Sequence, residues 1–280
     1  MKSIILKIFI SVAVISLTLH ACKKDEINIS PDNETETSTD NALAENTFDN
    51  ALTIVDQAQS SDLSTFKNGG SNSENIILNA CATIWRDTIA TTREVIVDFG
   101  TVNCVGADGR SRRGKIILTY TGAYKATGSV KTITFDNYYV NDNKVEGNKT
   151  ITNQGKNAQG GIVYSINVAG SITLANNFGI IVYNSTRQRI FIEGVNTIEL
   201  IDDVYLITGT SSGSSRNGDL YNVTIKTPLR RELNCKNFVN GSIEYIAKNR
   251  RMRLLDFGNG VCDSLATVTI NGITYTIILK

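Results

Sequence analysis

Thr267-Val268-Thr269-Ile270-Asn271-Gly272-Ile273-Thr274-Tyr275-Thr276 is the stretch that decides the fold. Asn-Gly is favoured where both residues of a two-residue turn need positive φ, so this segment predicts a type I′ hairpin. In that register Ile270 pairs with Ile273 and Val268 with Tyr275 on one face. Thr269 pairs with Thr274 and Thr267 with Thr276 on the other, so one face is expected to be core and the other wet. Val140-Asn141-Asp142-Asn143-Lys144-Val145 reads as a second hairpin with a slightly longer turn.

Outward from these hairpins the same code repeats. Gly114 to Tyr120, Lys131 to Phe135 and Tyr221 to Ile225 are β-branched and aromatic runs, bounded by Gly, Asn and Asp at short spacing. No helical pattern lies between them, so parallel crossovers are unsupported and an antiparallel all-β domain over 76–280 is expected. Its architecture would be a large meander sheet or a β-sandwich. Ahead of it, Phe48, Ala51, Leu52, Val55 and Ala58 recur at helical spacing and predict one short N-terminal amphipathic helix over 42–59, packed on the domain edge. Residues 60–75, with Gly69 and Gly70, read as a loop.

The N-terminus carries an address. Lys2 and Lys7 accompany an apolar run from Ile4 to Leu19 that ends in Leu19-His20-Ala21-Cys22. The run is short for a membrane span and holds Ser11, Ser16 and Thr18, which fits a signal peptide over 1–21 better than an anchor. Cys22 would then be the acylated first residue, palmitate among its acyl groups, tying the protein to the membrane. Residues 22–41 are polar and free of aromatics, so they read as a disordered tether.

Composition narrows the chemistry. Of 280 residues 41% are hydrophobic and 20% charged, and the formal net charge is +1, an ordinary globular balance. Removing the signal with its two lysines leaves 26 basic against 27 acidic side chains, which gives no reason to expect nucleic acid as a partner. The single histidine, His20, lies within the signal, so histidine catalysis and histidine metal sites drop out of the mature chain. No cofactor or metal is expected, and no catalytic constellation emerges. Gly209-Thr210-Ser211-Ser212-Gly213 matches a nucleophile-elbow pattern but reads as part of a flexible polar loop. Asp202 and Asp203, adjacent on an expected strand, would point to opposite faces and fail as an acid pair.

Asp98-Phe99-Gly100-Thr101-Val102-Asn103-Cys104 and Asp256-Phe257-Gly258-Asn259-Gly260-Val261-Cys262 share Asp-Phe-Gly-x-x-x-Cys. Arg93 and Arg251 precede the two aspartates at equal distance, and Cys81 and Cys235 lie upstream in similar text. Two copies of one module, at about 78–121 and 233–280, are implied. If each is a hairpin, its ends meet, and the expected disulfides are Cys81 with Cys104 and Cys235 with Cys262. A four-thiolate zinc site is the alternative. Within each copy Asp should cap a turn, Phe should be buried and Gly should take positive φ.

Arg110, Arg112 and Arg113, and separately Arg250, Arg251 and Arg253, are candidate binding clusters, since arginine forks suit anionic polymers. Their structural counter-reading is charge that protects strand edges. Trp85, Tyr120, Tyr124, Tyr138, Tyr139 and Tyr183 are candidates for a sugar platform or for core. Asp87-Thr88-Ile89 and Asp263-Ser264-Leu265 match the O-glycosylation pattern found in Bacteroidota.

The lipobox, acidic tether, short helix and duplicated Asp-Phe-Gly-x-x-x-Cys module, followed by Ala266 to Gly272, together resemble a Bacteroidota lipoprotein family of flavobacterial type. Lys23-Lys24-Asp25-Glu26 after Cys22 resembles the surface-export signal of such proteins. The resemblance implies β-structure and an outer-membrane, lipid-anchored place, facing outward or, alternatively, the periplasm. It brings no activity. The expectation is a non-catalytic binding or adhesion module for an envelope or extracellular glycan or protein. A carboxylate-dependent hydrolase and an envelope lipid carrier are the alternatives. An acid-lined cleft, a greasy cavity or a polar face would tell them apart.

Overall fold

Hairpin chemistry propagates through the described residues from Thr83 to Ile278. A computed structural model describes residues 35–59, 82–89, 91–197, 201–235 and 237–279. Cys22, the signal, the Lys23 to Glu26 run, most of the expected tether, the 60–75 loop and Cys81 lie outside the described residues. One helix, α1 (Glu36–Gln59), is followed by β1 (Thr83–Asp87), β2 (Arg93–Asp98), the two-residue β3 (Cys104–Val105), β4 (Ser111–Tyr120), β5 (Val130–Val140) and β6 (Asn143–Lys156). Then come β7 (Ile162–Thr173), β8 (Ile180–Glu193), β9 (Val204–Ser214), β10 (Leu220–Glu232), β11 (Asn240–Ala247), β12 (Arg253–Asn259), β13 (Leu265–Ile270) and β14 (Ile273–Ile278).

All fourteen belong to one antiparallel meander in which neighbours in sequence are neighbours in space, with β3 alone off the path, paired to β4. The all-β expectation holds as a single sheet rather than a sandwich. The 267–276 register is the expected one, with Ile270 opposite Ile273 and Val268 opposite Tyr275. Asn271 and Gly272 take φ of 53° and 78°, as a type I′ turn requires. The other hairpin is tighter than expected. Val140 pairs directly with Asn143, so Asn141 and Asp142 form a two-residue turn at φ 50° and 64°.

The helix begins earlier than its apolar pattern suggested, at Glu36, so the last residues of the expected tether are helical. Nor does it sit at the edge. From its N-terminus it crosses the sheet, with Asp40 on Arg216 beyond β9, Glu45 on Arg187 of β8, Asp49 on Lys149 of β6 and Asp56 on Lys131 of β5. At its end the Ala58 carbonyl accepts from Arg86 Nε of β1 at 2.7 Å, which satisfies an orphan carbonyl of the last turn. Only Thr39, Ala42, Asn46, Asp49, Thr53 and Asp56 within it are exposed, a single stripe, so the sheet curls up along both flanks.

Thr, Asn and Asp make this a poor autonomous helix, and packing holds it. Phe48, Ile54 and Val55 are buried in one cluster with Val95, Ile116, Leu118, Ile133, Ile151, Tyr164, Ile172 and Tyr183. Phe48 lies beside Tyr183 and Phe135, ring centroids 6.0 and 5.8 Å away, and directly over Gly170, where a Cβ would come within 2.3 Å of its ring.

Candidate functional site

Successive side chains of a strand alternate between faces, so the residues next to Lys149, Arg187 and Ser211 point away from α1. On that outer face the registers of β6 to β10 align two rows. One is Asn148, Ala169, Asn184, Ser212 and Asn222, and the other is Thr150, Asn167, Thr186, Thr210 and Thr224. Two glycines stand beside the rows. Gly147 and Gly209 hold φ of 112° and 122°, and a Cβ on either would lie 2.2 Å from a carbonyl of the adjoining strand. An open hollow of about 480 Å³ lies over the rows, lined by Asn148, Asn167, Asn184, Thr186, Thr210, Ser212, Asn222 and Thr224 among others, and no lining residue carries a charge. Each Asn offers donor and acceptor, and each hydroxyl offers both. Strands repeat at ~4.8 Å, so the hollow is a two-dimensional array of neutral hydrogen-bonding groups.

Of these residues the sequence singles out only Thr210 and Ser212, within Gly209 to Gly213, and for a different chemistry. Singly, Asn and Thr on a strand look like solvent-facing filler, and the array exists only once ten-residue strands are placed in register. Gly209 to Gly213, expected in a flexible loop, lies within β9, one of the five strands of the hollow. No strand-to-helix turn is present there, which removes the nucleophile elbow. Ser211 faces inward and accepts from Arg187 Nη2 at 3.3 Å.

The arginine candidates lie elsewhere and are largely committed. Arg112 is fully buried and points at the helix. Its Nη1 and Nη2 reach the two Asp108 oxygens at 2.8 and 2.6 Å, and Nη2 also reaches Asn50 of α1 at 2.8 Å. Burial works against the Asp108 carboxylate, but hydrogen bonds and charge from Arg112 outweigh it and hold the group below the usual carboxylate range. Arg113 points the opposite way, ion-paired to Asp142 and stacked 3.9 Å over Tyr139. Arg110 stands 3.8 Å from Asp108. Arg253 is buried opposite Tyr245 on β12, while Arg250 and Arg251 lie in the turn that precedes it. The clusters therefore split across both faces and the interior instead of forming one anionic-polymer surface.

Of the aromatic candidates, Tyr120, Tyr138 and Tyr183 are core residues, and Tyr124 stacks on Tyr164 with centroids 4.5 Å apart. Tyr139 lies partly exposed under Arg113, and Trp85 is half exposed on β1. Inside, Arg189 sits against the rings of Tyr205, Tyr164 and Tyr124 at 4.7, 5.5 and 5.9 Å, an interior cation met by aromatic faces.

Carboxylates with raised affinity for a proton do not form a catalytic pair. Burial raises the Glu45 carboxyl, opposed by Arg187, its partner at 3.1 Å. Burial also raises Asp203, which accepts from the Tyr205 hydroxyl at 2.9 Å. Asp202 and Asp203 precede β9 rather than lying on a strand, and exposed Asp202 accepts from the Thr197 hydroxyl at 3.0 Å.

The duplicated modules are structural in both copies. Asp98 and Asp256 each accept the N–H two residues on, from Gly100 and Gly258, at 2.8 Å. Phe99 and Phe257 are buried, and the glycines hold φ of 77° and 91°. Cys235 and Cys262 are disulfide-bonded with Cα atoms 5.8 Å apart, at the mouth of the β11–β12 hairpin. Cys104 is also in a disulfide, and Cys81, its expected partner, lies outside the described residues. Oxidised cysteines exclude the four-thiolate zinc site. Thr88 and Ser264 are both exposed in turns capped by Asp87 and Asp263.

No protein-family model, curated protein or solved structure matches this chain.

Proposed function

We propose that this chain is a non-catalytic binding module, held at the outer membrane by lipid on Cys22 and facing outward, whose ligand is an uncharged, hydroxyl-rich envelope or extracellular glycan. The observation that carries the reading is the charge-free double row of Asn, Ser and Thr across β6 to β10. A neutral polyol exchanges water hydrogen bonds for amide and hydroxyl ones without desolvating an ion, so affinity comes from many modest contacts at about 1 kcal/mol each. Against a lipid carrier stands the other face of the sheet, which α1 fills with Phe48, Ile54 and Val55. Against a hydrolase stand Glu45 and Asp203, each tied to its own partner.

The test is retention on neutral and acidic polysaccharide panels, with product analysis of the same incubations. Neutral polymers are expected to be retained and returned unchanged. Asn184→Leu with Asn222→Leu should weaken retention about tenfold or more, while the far-UV spectrum stays unchanged, since each lost hydrogen bond is worth roughly 1 kcal/mol. Products that vanish when one Asp or Glu becomes its amide would establish the hydrolase instead. Retention of acidic polymers only, lost on Arg113→Ala, would return the site to the arginines. Mass spectrometry of the mature N-terminus tests the anchor, and an unmodified Cys22 would remove it.

A further inference from the structure

The two ends of the sheet differ in how they meet water. β1 carries Arg86 and Asp87, charges that discourage another strand from adding to an edge. β14, the last strand of the sheet among the described residues, carries none. From Ser264 to Leu279 the chain has no charged residue, no proline and no bulge against β13.

The Leu279 N–H donates to the Ser264 carbonyl at 2.8 Å, and Ile270 and Ile273 flank the two-residue turn. That phase aims the N–H and C=O groups of Ile273, Tyr275, Ile277 and Leu279 at β13. The groups of Thr274, Thr276 and Ile278 then point outward, where no described strand receives them. Side chains on this strand are open as well: Ile273, Tyr275 and Ile278 are 57%, 51% and 73% exposed.

Ile273-Thr274-Tyr275-Thr276-Ile277 reads the same in both directions. We propose that β14 pairs antiparallel with β14 of a second copy of this chain about a two-fold axis at Tyr275, joining two sheets into one. In that register Ile273 meets the partner's Ile277, Thr274 meets the partner's Thr276, and Tyr275 meets itself. The last is the non-hydrogen-bonded pair that brings side chains closest. Near the two-fold axis each residue lies close to its own symmetry mate, so a charge at position 274 or 276 would stand diagonally across from a like charge. The strand has none, and Ile273, Tyr275 and Ile277 fall on one face of the joint. An isologous interface of this kind closes at two copies.

Sedimentation velocity of the full chain, kept soluble in detergent over roughly 1 to 300 μM, tests the pairing, because an edge joint is small and association is expected to be weak. A monomer–dimer equilibrium is expected. Thr276→Lys and Thr276→Pro should each weaken it at least tenfold, the first by like charge and the second by removing an outward N–H that β13 does not use. Position 276 is exposed, and thermal unfolding of the variants checks that they fold. Hydrogen exchange on the unaltered chain is independent of any variant, and the amides of Thr274, Thr276 and Ile278 should gain protection as concentration rises. A monomer throughout, equal association by both folded variants, flat exchange at those amides, or growth beyond the dimer would overturn the proposal.

Discussion

Strands β4 to β9 and strands β10 to β14 are written in one code, yet they reach different ends. Where α1 lies across the sheet, alternating apolar residues close into the main cluster with Phe48, Ile54 and Val55. Beyond it, Tyr221, Val223, Tyr245 and Ala247 form one small group, and Ile225, Leu229, Phe257 and Ala266 another. At the far end, on the Ile270–Ile273 and Val268–Tyr275 face expected to be core, Ile273 and Tyr275 are more than half exposed and Val268 and Ile270 partly so, because no described element covers them. Alternation supplies a face. A covering element decides whether that face becomes an interior.

The duplicated module makes the same comparison at one residue. Phe99 packs in the main cluster, 6.1 Å from Tyr138, while Phe257 meets Phe238 at 5.2 Å in a peripheral one. Phe48→Ala should have the largest effect, a loss of about 4 kcal/mol by denaturant unfolding, because the cavity opens where helix and sheet meet. Phe257→Ala should cost distinctly less. Equal losses would mean that the two halves are one cooperative core.

In the thinly packed half the disulfide takes over part of the helix's role. Cys235→Ala with Cys262→Ala frees a loop of 27 residues, worth about 3.5 kcal/mol in the chain-entropy model. Amide exchange should rise first in β11 and β12 and leave β6 to β8 protected. Loss of protection across the whole sheet would erase the distinction between the halves.

Asp108→Asn should cost about 3 kcal/mol at neutral pH, because it leaves the buried Arg112 guanidinium without its anion. Asp108 has a folded pKa below its unfolded one, so its contribution is present above the unfolded value and lost as pH falls through the folded value. The gap between wild type and variant should therefore close in strong acid, and a gap that persists there would assign the cost to packing. The smallest effect belongs to the open hairpin. Thr269→Ala breaks the 2.9 Å hydroxyl pair with Thr274 on an exposed face and should stay within about 0.5 kcal/mol.

Local chemistry was legible where it acts over a few residues. The Asn271-Gly272 turn, the Asp–Gly caps, the buried Phe99 and Phe257, the Cys235–Cys262 pairing and the apolar stripe of α1 all follow from spacing alone. The helix start was misplaced because Asp40 reads as tether until Arg216, far along the chain, supplies its partner. Arg112, a binding candidate in the sequence, is joined inside the fold by Arg187 and Arg189. They turn inward because α1 brings acids and amides to two of them and Tyr rings receive the third.

Strand order, turn type and side-chain alternation are set by bonds and sterics between near neighbours, and these travel with the chain wherever it is placed. Which face meets the helix depends on groups more than a hundred residues apart, as with Glu45 and Arg187. So does the assembly of single Asn and Thr residues from β6 to β10 into one polar hollow. Burial and charge pairing are properties of three-dimensional neighbourhoods, and a neighbourhood has no signature in sequence until the sheet has curled and the helix has chosen its side.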